Sequence, residues 1–251
     1  MDVTAWEITF FDRFQVVALA LFLVTFAGRT LHLRIHQHIN PITLNTRKNG
    51  LLGVMELALF IEVNLWAIAV LLRALPLGVR TLPWLFAVQL LDSLPLKMVG
   101  VILIACAFVI HLLALIALGN SWRLGIDEQQ PGKLVTKGIY AVCRNPIYIF
   151  FDLYFIGTFL INGSLIFLVC AIFTITNLHY QILREEDFLA RIHGPAYKAY
   201  RARTARYLTL RSTASPRRVA SAVCEGEATG PVADSGGSSE ESGHQPGGHC
   251  P

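Results

Sequence analysis

The chain has 251 residues, of which 54% are hydrophobic and only 15% are charged. This composition is too apolar for an ordinary soluble domain, and the chain is too long for a single membrane anchor. The net charge of +4 comes from Lys and Arg residues that flank apolar segments. No basic face interleaved with aromatic residues indicates nucleic-acid binding. The sequence therefore predicts an all-α integral membrane protein.

Apolar segments close to the length that crosses a bilayer as a helix, about 20 residues, recur along the chain. Two of them are separated only by Asn162 and Gly163, so we expect them to form an antiparallel helical hairpin. The segment 81–91 is apolar but short and is flanked by Pro83 and Pro95, which favours an interfacial or re-entrant placement. The five predicted spans are 14–27, 51–72, 99–118, 146–161 and 164–180.

Lys and Arg residues gather on one side of these spans, in 29–48, 123–144 and 184–211. The positive-inside rule places that side in the cytoplasm and the N-terminus outside. Beyond residue 211, Ser, Gly, Pro and Glu dominate, so we expect a disordered tail. The predicted organisation is N-terminal membrane helices over 1–120, a region with the polar motifs over 121–211, and the tail over 212–251.

The first polar motif is LVTKGIYAVCRNPIY, at 134–148. Pro146 suits the first position of a helix, and Asn145 suits the capping position before it. The unpaired N–H groups and the positive dipole end of a helix start can receive a ligand carboxylate. For Arg144 taken alone, anchoring at the lipid headgroups is the favoured interpretation.

The second motif is LREEDFLARIHGPAYKAY, at 183–200. With about 100° of rotation per residue, Glu185 falls near the centre of an apolar stripe and Glu186 near its edge. Because a buried carboxylate without a partner is costly, we expect a cation, a donor or a ligand against Glu185. The alternative is a structural ion pair with Arg144 or another loop base. The stripe consists of Leu178, Ile182, Phe188, Leu189 and Ile192.

No metal site is predicted. His32 and His36 stand four residues apart, but no acidic or cysteine ligand is near them in the sequence. The five cysteines show no paired spacing typical of a metal or redox site.

Together, LVTKGIYAVCRNPIY, the hairpin, the Glu185-Glu186 pair and HGPAYKAY resemble the catalytic region of the isoprenylcysteine carboxyl methyltransferase family, within the phospholipid methyltransferase superfamily. The resemblance runs from about Leu134 to Tyr200, and SWRLGID before it is similar to bacterial members. It implies a multi-pass enzyme of the bacterial inner membrane with an S-adenosylmethionine pocket that faces the cytoplasm. A lipophilic or lipidated acceptor and membrane lipids are the implied partners, and carboxyl O-methylation, with an isoprenylcysteine-like substrate possible, is favoured.

The resemblance also implies roles for individual residues. We predict Arg144, Asn145 and Glu186 as catalytic residues, with Glu186 to be tested as the base that an amine acceptor would need. Gln181 and Arg184 are the implied substrate contacts. The implied cofactor contacts are Lys133, Leu134, Val135, Tyr140, Asn145, Pro146, Ile147, Tyr148 and Glu185.

Two residues depart from the family pattern. Asn145 stands where the family usually has histidine, and an amide cannot titrate near neutral pH. Gln181 stands where eukaryotic members have an arginine associated with the substrate carboxylate, and Arg184 points roughly 60° away from it on the helix. Two alternatives therefore stay open: an NADPH-dependent sterol-type membrane reductase, and a non-catalytic membrane module of the same fold.

Overall fold

The computed structural model describes residues 3–37, 51–74, 83–119 and 134–208. In these ranges short 3₁₀ turns at Pro83–Phe86 and Gly138–Ala141 connect long α-helices. The predicted tail, 212–251, lies outside the described residues, as does Lys133. The long helices are α1 (Val3–Gln37), α2 (Leu51–Ala74), α3 (Leu94–Leu118), α4 (Pro146–Asn162) and α5 (Leu165–Arg203).

Four of these helices, α1, α2, α3 and α5, are long and apolar enough to cross a membrane. The predicted span at α4 is apolar but has only 17 residues, or about 25 Å, against about 30 Å for the hydrocarbon core. Large side chains such as Val24 and Ile116 are 68% and 77% exposed, which suits contact with lipid rather than water. The predicted all-α integral membrane fold is confirmed.

The core is built from aromatic rings where α1, α2 and α3 surround α4. The ring of Phe22 in α1 lies 5.6 Å from that of Phe150 in α4, and Trp66 in α2 stacks on Phe155 at 4.4 Å. Each such pair contributes about 0.5–1.5 kcal/mol beyond the area it buries. These contacts fix α4 in the centre of the bundle. The first polar motif, 134–148, leads into the start of this helix.

Small residues let α3 and α4 approach closely. A Cβ atom added at Gly157 would lie 2.7 Å from Ile104 Cγ1 and 2.8 Å from the carbonyl oxygen of Gly100. Close backbone approach at glycines is the common way in which membrane helices gain packing contacts, since lipid offers no hydrophobic driving force between them. The α3–α4 pair is thus a backbone-to-backbone contact.

The turn between α4 and α5 confirms the predicted hairpin. Helix α4 ends at Asn162, and Gly163 takes the left-handed conformation with φ 66°. The Gly163 carbonyl accepts hydrogen bonds from the N–H groups of Leu90 and Leu91, at 2.7 and 3.1 Å. The described part of the predicted interfacial segment, 83–91, is therefore a 3₁₀ turn followed by extended chain bound to the hairpin turn, and it forms no spanning helix.

We expect Gly163→Ala to destabilise the protein by about 2–4 kcal/mol, from backbone strain and overpacking together. An added Cβ atom would lie 1.8 Å from the carbonyl oxygen of Leu91, at a backbone angle that L-residues avoid. Gly119→Ala is the matched control, because Gly119 also has positive φ but has no atom within 4 Å of its Cβ position. The measurement is thermal unfolding in detergent, and equal losses in both variants would contradict the contact with Leu91.

Candidate functional site

The loop before α4 begins with Leu134 and Val135, both partly buried, and passes through the Gly138–Ala141 turn. Tyr140 is 9% exposed, and its backbone oxygen accepts a hydrogen bond of 2.7 Å from the hydroxyl of Tyr200 in α5. Burial, and secondarily the Glu185 carboxylate, raise the pKa of Tyr140, so its phenol stays protonated. The loop is therefore fixed to α5 by its backbone, and Tyr140 supplies a neutral side chain.

A second stretch of chain covers this loop. Helix α5 is broken at Gly194, with φ 50° and ψ −123°, and Pro195 follows. After α5 ends, Thr204–Arg206, here called the return segment, lies parallel to the loop through a bridge between Cys143 and Ala205. The backbone N–H of Arg144 donates to the Ala205 oxygen at 3.0 Å. The loop is thus enclosed between α5 and the return segment.

Glu186 lies at the centre of this arrangement and is 2% exposed. Its carboxylate accepts hydrogen bonds from Arg144 Nη2 at 2.9 Å and Arg206 Nη2 at 3.0 Å. It also accepts one from Asn145 Nδ2 at 3.1 Å. Two guanidinium groups and an amide occupy the lone pairs of one ionised carboxylate, and such charge-assisted contacts are the strong ones.

Arg144 is not an anchor at the lipid headgroups, so that interpretation of it is wrong. Its side chain is 8% exposed and forms an ion pair with Glu186. Its Nη1 atom also donates to the backbone oxygens of Arg201 and Thr204, at 3.1 and 2.8 Å. With these buried partners, the guanidinium of Arg144 joins the loop before α4 to α5 and to the return segment, and it does not point toward lipid.

Asn145 occupies the predicted position before α4, but its side chain forms no capping hydrogen bond. The Nδ2 atom instead donates to Glu186 Oε1 and to the backbone oxygen of Arg206, both at 3.1 Å. The prediction of a capping side chain is therefore wrong. Within the described chain, the N–H groups of Ile147 and Tyr148 are left without an acceptor from the preceding turn, and they lie at the positive end of the helix dipole.

The structure reverses the relative burial that the helical rotation predicted for Glu185 and Glu186, but the donor expected against Glu185 is present. Glu185 is only partly buried, and its Oε2 atom accepts a hydrogen bond of 2.8 Å from the hydroxyl of Tyr148. The structural ion pair with Arg144, the alternative for Glu185, is formed by Glu186 instead. The reason is tertiary, because the return segment covers the face of α5 that carries Glu186 and leaves Glu185 beside the start of α4.

Gln181 and Arg184 are both partly buried on α5. Within the described part of the chain, neither side chain has a hydrogen bond or an ion pair. Both lie within four residues of Glu185 along α5, so they belong to the same part of the helix. Pro146 is fully buried beneath the loop.

Arg206 is the site residue that the sequence did not single out. The hydrogen bond to Glu186 is the main cause that raises the pKa of Arg206, so its guanidinium stays cationic. Arg206 is one of several basic residues shortly before the predicted tail, and nothing in the sequence distinguishes it from them. A usable signal was the adjacent pair of acids in an apolar helix, since two carboxylates there call for more than one cation.

Residues 96–196 match the phospholipid methyltransferase family. No curated protein matches the chain significantly. The matched stretch contains nearly all of α3, all of α4 and most of α5, including Arg144, Asn145 and both glutamates, and it ends before the return segment. The match is a similarity to phospholipid methyltransferases over that stretch, and it supports this superfamily rather than the narrower isoprenylcysteine carboxyl methyltransferase family.

Proposed function

We propose that the protein transfers a methyl group from S-adenosylmethionine to a lipophilic acceptor at the membrane. The observation that carries this proposal is the partly buried Glu185 carboxylate beside the start of α4, where Tyr148 is its hydrogen-bond partner. Tyr148 is a neutral donor, so the charge of Glu185 is not compensated by a cation in this contact. A carboxylate in that state suits a cationic ligand.

The residues fit the two polar ends of the amino-acid part of S-adenosylmethionine. Glu185 would hold the ammonium group, and the N–H groups of Ile147 and Tyr148 would hold the carboxylate. When bound, S-adenosylmethionine would supply a methyl group on a sulfonium, which the acceptor would take by in-line displacement with the neutral thioether S-adenosylhomocysteine as the leaving group. The loop residues Lys133, Leu134, Val135 and Tyr140 would contact the remainder, with Asn145 and Pro146 setting the start of α4.

The protein's own residues then have to orient the methyl donor and the acceptor and to exclude water. Holding two reactants in near-attack geometry supplies much of the rate of a displacement. The aromatic core holds α4, and the ion pairs of Glu186 hold the loop. We therefore assign Arg144, Asn145 and Glu186 to positioning of the site. Glu186 is unsuited to the role of a base, since three donors already occupy its oxygens.

Carboxyl O-methylation is the favoured reaction because Glu186 is unsuited to the role of a base. An anionic carboxylate acceptor needs no base, whereas an ammonium acceptor must first lose a proton. Arg184 and Gln181 would face the polar end of the acceptor, and an isoprenylcysteine-like carboxylate fits such contacts. The apolar outer faces of the helices allow the acceptor to enter from the bilayer. The distribution of Lys and Arg favours a cytoplasmic site, and the resemblance to bacterial members favours a bacterial inner membrane.

The first experiment is a calorimetric titration of the purified protein in detergent with S-adenosylmethionine and, separately, with NADPH. We expect saturable binding of S-adenosylmethionine and none of NADPH. Binding of NADPH alone would favour the sterol-type reductase. Binding of neither ligand by folded protein would favour a non-catalytic membrane module.

A further inference from the structure

Arg206 lies ten residues beyond the stretch that matches the methyltransferase family. Its guanidinium reaches both oxygens of Glu186, with Nε 3.2 Å from Oε1 and Nη2 3.0 Å from Oε2. The arginine side chain is 30% exposed while that of the glutamate is 3% exposed. This fork geometry fixes the direction of the carboxylate more firmly than a point charge can.

The same segment binds the loop before α4 through its backbone. The carbonyl oxygens of Thr204, Ala205 and Arg206 accept hydrogen bonds from Arg144 Nη1, Arg144 N and Asn145 Nδ2, at 2.8, 3.0 and 3.1 Å. Each of the three residues of the return segment therefore offers its carbonyl to the loop. The orientation of the Asn145 side chain follows from this segment and from Glu186 together.

We propose that Arg206 is a positioning residue of the methyltransferase site, which holds the return segment against Glu186 and thereby fixes the loop at the start of α4. The proposal rests on the proposed function for its consequence in ligand binding. Its structural part is independent of that function, because it concerns only contacts within the chain.

The geometry explains why no neighbour can replace Arg206. Arg144 and Asn145 both donate to Oε1 of Glu186, whereas Arg206 is the donor to Oε2 among the described contacts. Without Arg206, one oxygen of a buried carboxylate loses its charged donor. The neighbouring Glu185 then lies next to a less compensated negative charge, and like charges in proximity disfavour the ionised pair.

The test compares Arg206→Gln with the wild-type chain and with Arg203→Gln, which removes the same charge from an exposed position three residues earlier. The rate of hydrogen–deuterium exchange in the peptide 141–148 measures how firmly the loop is fixed. Calorimetry with S-adenosylhomocysteine measures the affinity of the site for this ligand. We expect Arg206→Gln to speed exchange of this peptide and to weaken binding about 10- to 100-fold, the usual value of a lost charged hydrogen bond. Arg203→Gln is expected to match the wild type.

Wild-type exchange in 141–148 and wild-type affinity in Arg206→Gln would overturn the proposal. If Arg206→Gln does not fold, Arg206→Lys carries the test, because lysine keeps the charge but lacks the fork; unchanged values in that variant would overturn it equally. If the wild-type chain binds no S-adenosylhomocysteine, the proposed function fails, and the exchange data alone then decide whether Arg206 holds the loop.

Discussion

Glu185→Gln is expected to weaken binding of S-adenosylmethionine by about 10- to 100-fold while the stability of the protein stays unchanged. Glutamine keeps the length of the side chain and an oxygen that can accept the hydrogen bond from Tyr148, which is 2.8 Å long in the wild type. It loses the charge that would pair with the ammonium group of the ligand, a contact worth about 1.5–3 kcal/mol. Calorimetric titration in detergent measures the affinity, and thermal unfolding measures the stability.

Asp187→Asn is the matched control for this charge removal. Asp187 lies two residues further along α5 and is exposed. We expect its replacement to leave affinity and stability at wild-type values, since exposed charges contribute little. An equal loss of affinity in both variants would indicate a general effect of charge, and wild-type affinity in Glu185→Gln would remove Glu185 from the cofactor site.

Glu186→Gln, unlike Glu185→Gln, is expected to reduce the stability of the protein, by about 3–5 kcal/mol, as is typical when one partner of a buried ion pair is removed. The two guanidinium groups of Arg144 and Arg206 share this carboxylate, and the Arg144 side chain is 8% exposed. A neutral amide at residue 186 would leave that buried cation without its anion. Binding of S-adenosylmethionine should fall as well, because the loop before α4 loses its support.

The measurement is again thermal unfolding in detergent, with Asp187→Asn as the control. Wild-type stability in Glu186→Gln would contradict the structural role of the ion pairs. If that variant also lost methyl transfer while retaining cofactor affinity, Glu186 would return as a candidate base for an amine acceptor.

The elements that the sequence predicted correctly depend on local signals. The hairpin follows from Asn162 and Gly163, since a two-residue break with a left-handed glycine admits one arrangement of its helices. The start of α4 at Pro146 follows from the missing N–H of proline. The bounds of α4 were predicted to within one residue, 146–161 against Pro146–Asn162, but at 17 residues the helix is shorter than the bilayer core and is not one of the four long enough to span.

The site itself depends on contacts that no local pattern contains. Rotation along α5 ranks Glu185 and Glu186 by the apolar residues of their own helix alone. The structure reverses that ranking because Arg206, 20 residues later, returns over Glu186. Asn145 fails to cap α4 for a related reason: its Nδ2 atom donates to Glu186 and to the carbonyl of Arg206, and these two bonds fix the orientation of the amide, whose Oδ1 atom would have to accept from the helix N–H groups.

The two adjacent glutamates therefore have different roles in the proposed site. Glu186 is bound by the protein and shapes the site, while Glu185 is left to the ligand with a neutral tyrosine beside it. The distinction explains why the same substitution is expected to leave stability unchanged at Glu185 and to reduce it at Glu186.

Transfer of a labelled methyl group tests whether the protein methylates a lipophilic acceptor with S-adenosylmethionine held by Glu185. Membranes that contain the wild-type protein or Glu185→Gln are incubated with methyl-labelled S-adenosylmethionine, and the lipid extract is counted before and after mild base. We expect label in the lipid extract of wild-type membranes, released by base as a methyl ester would be, and much less label with Glu185→Gln. Equal label in the two lipid extracts would contradict this proposal.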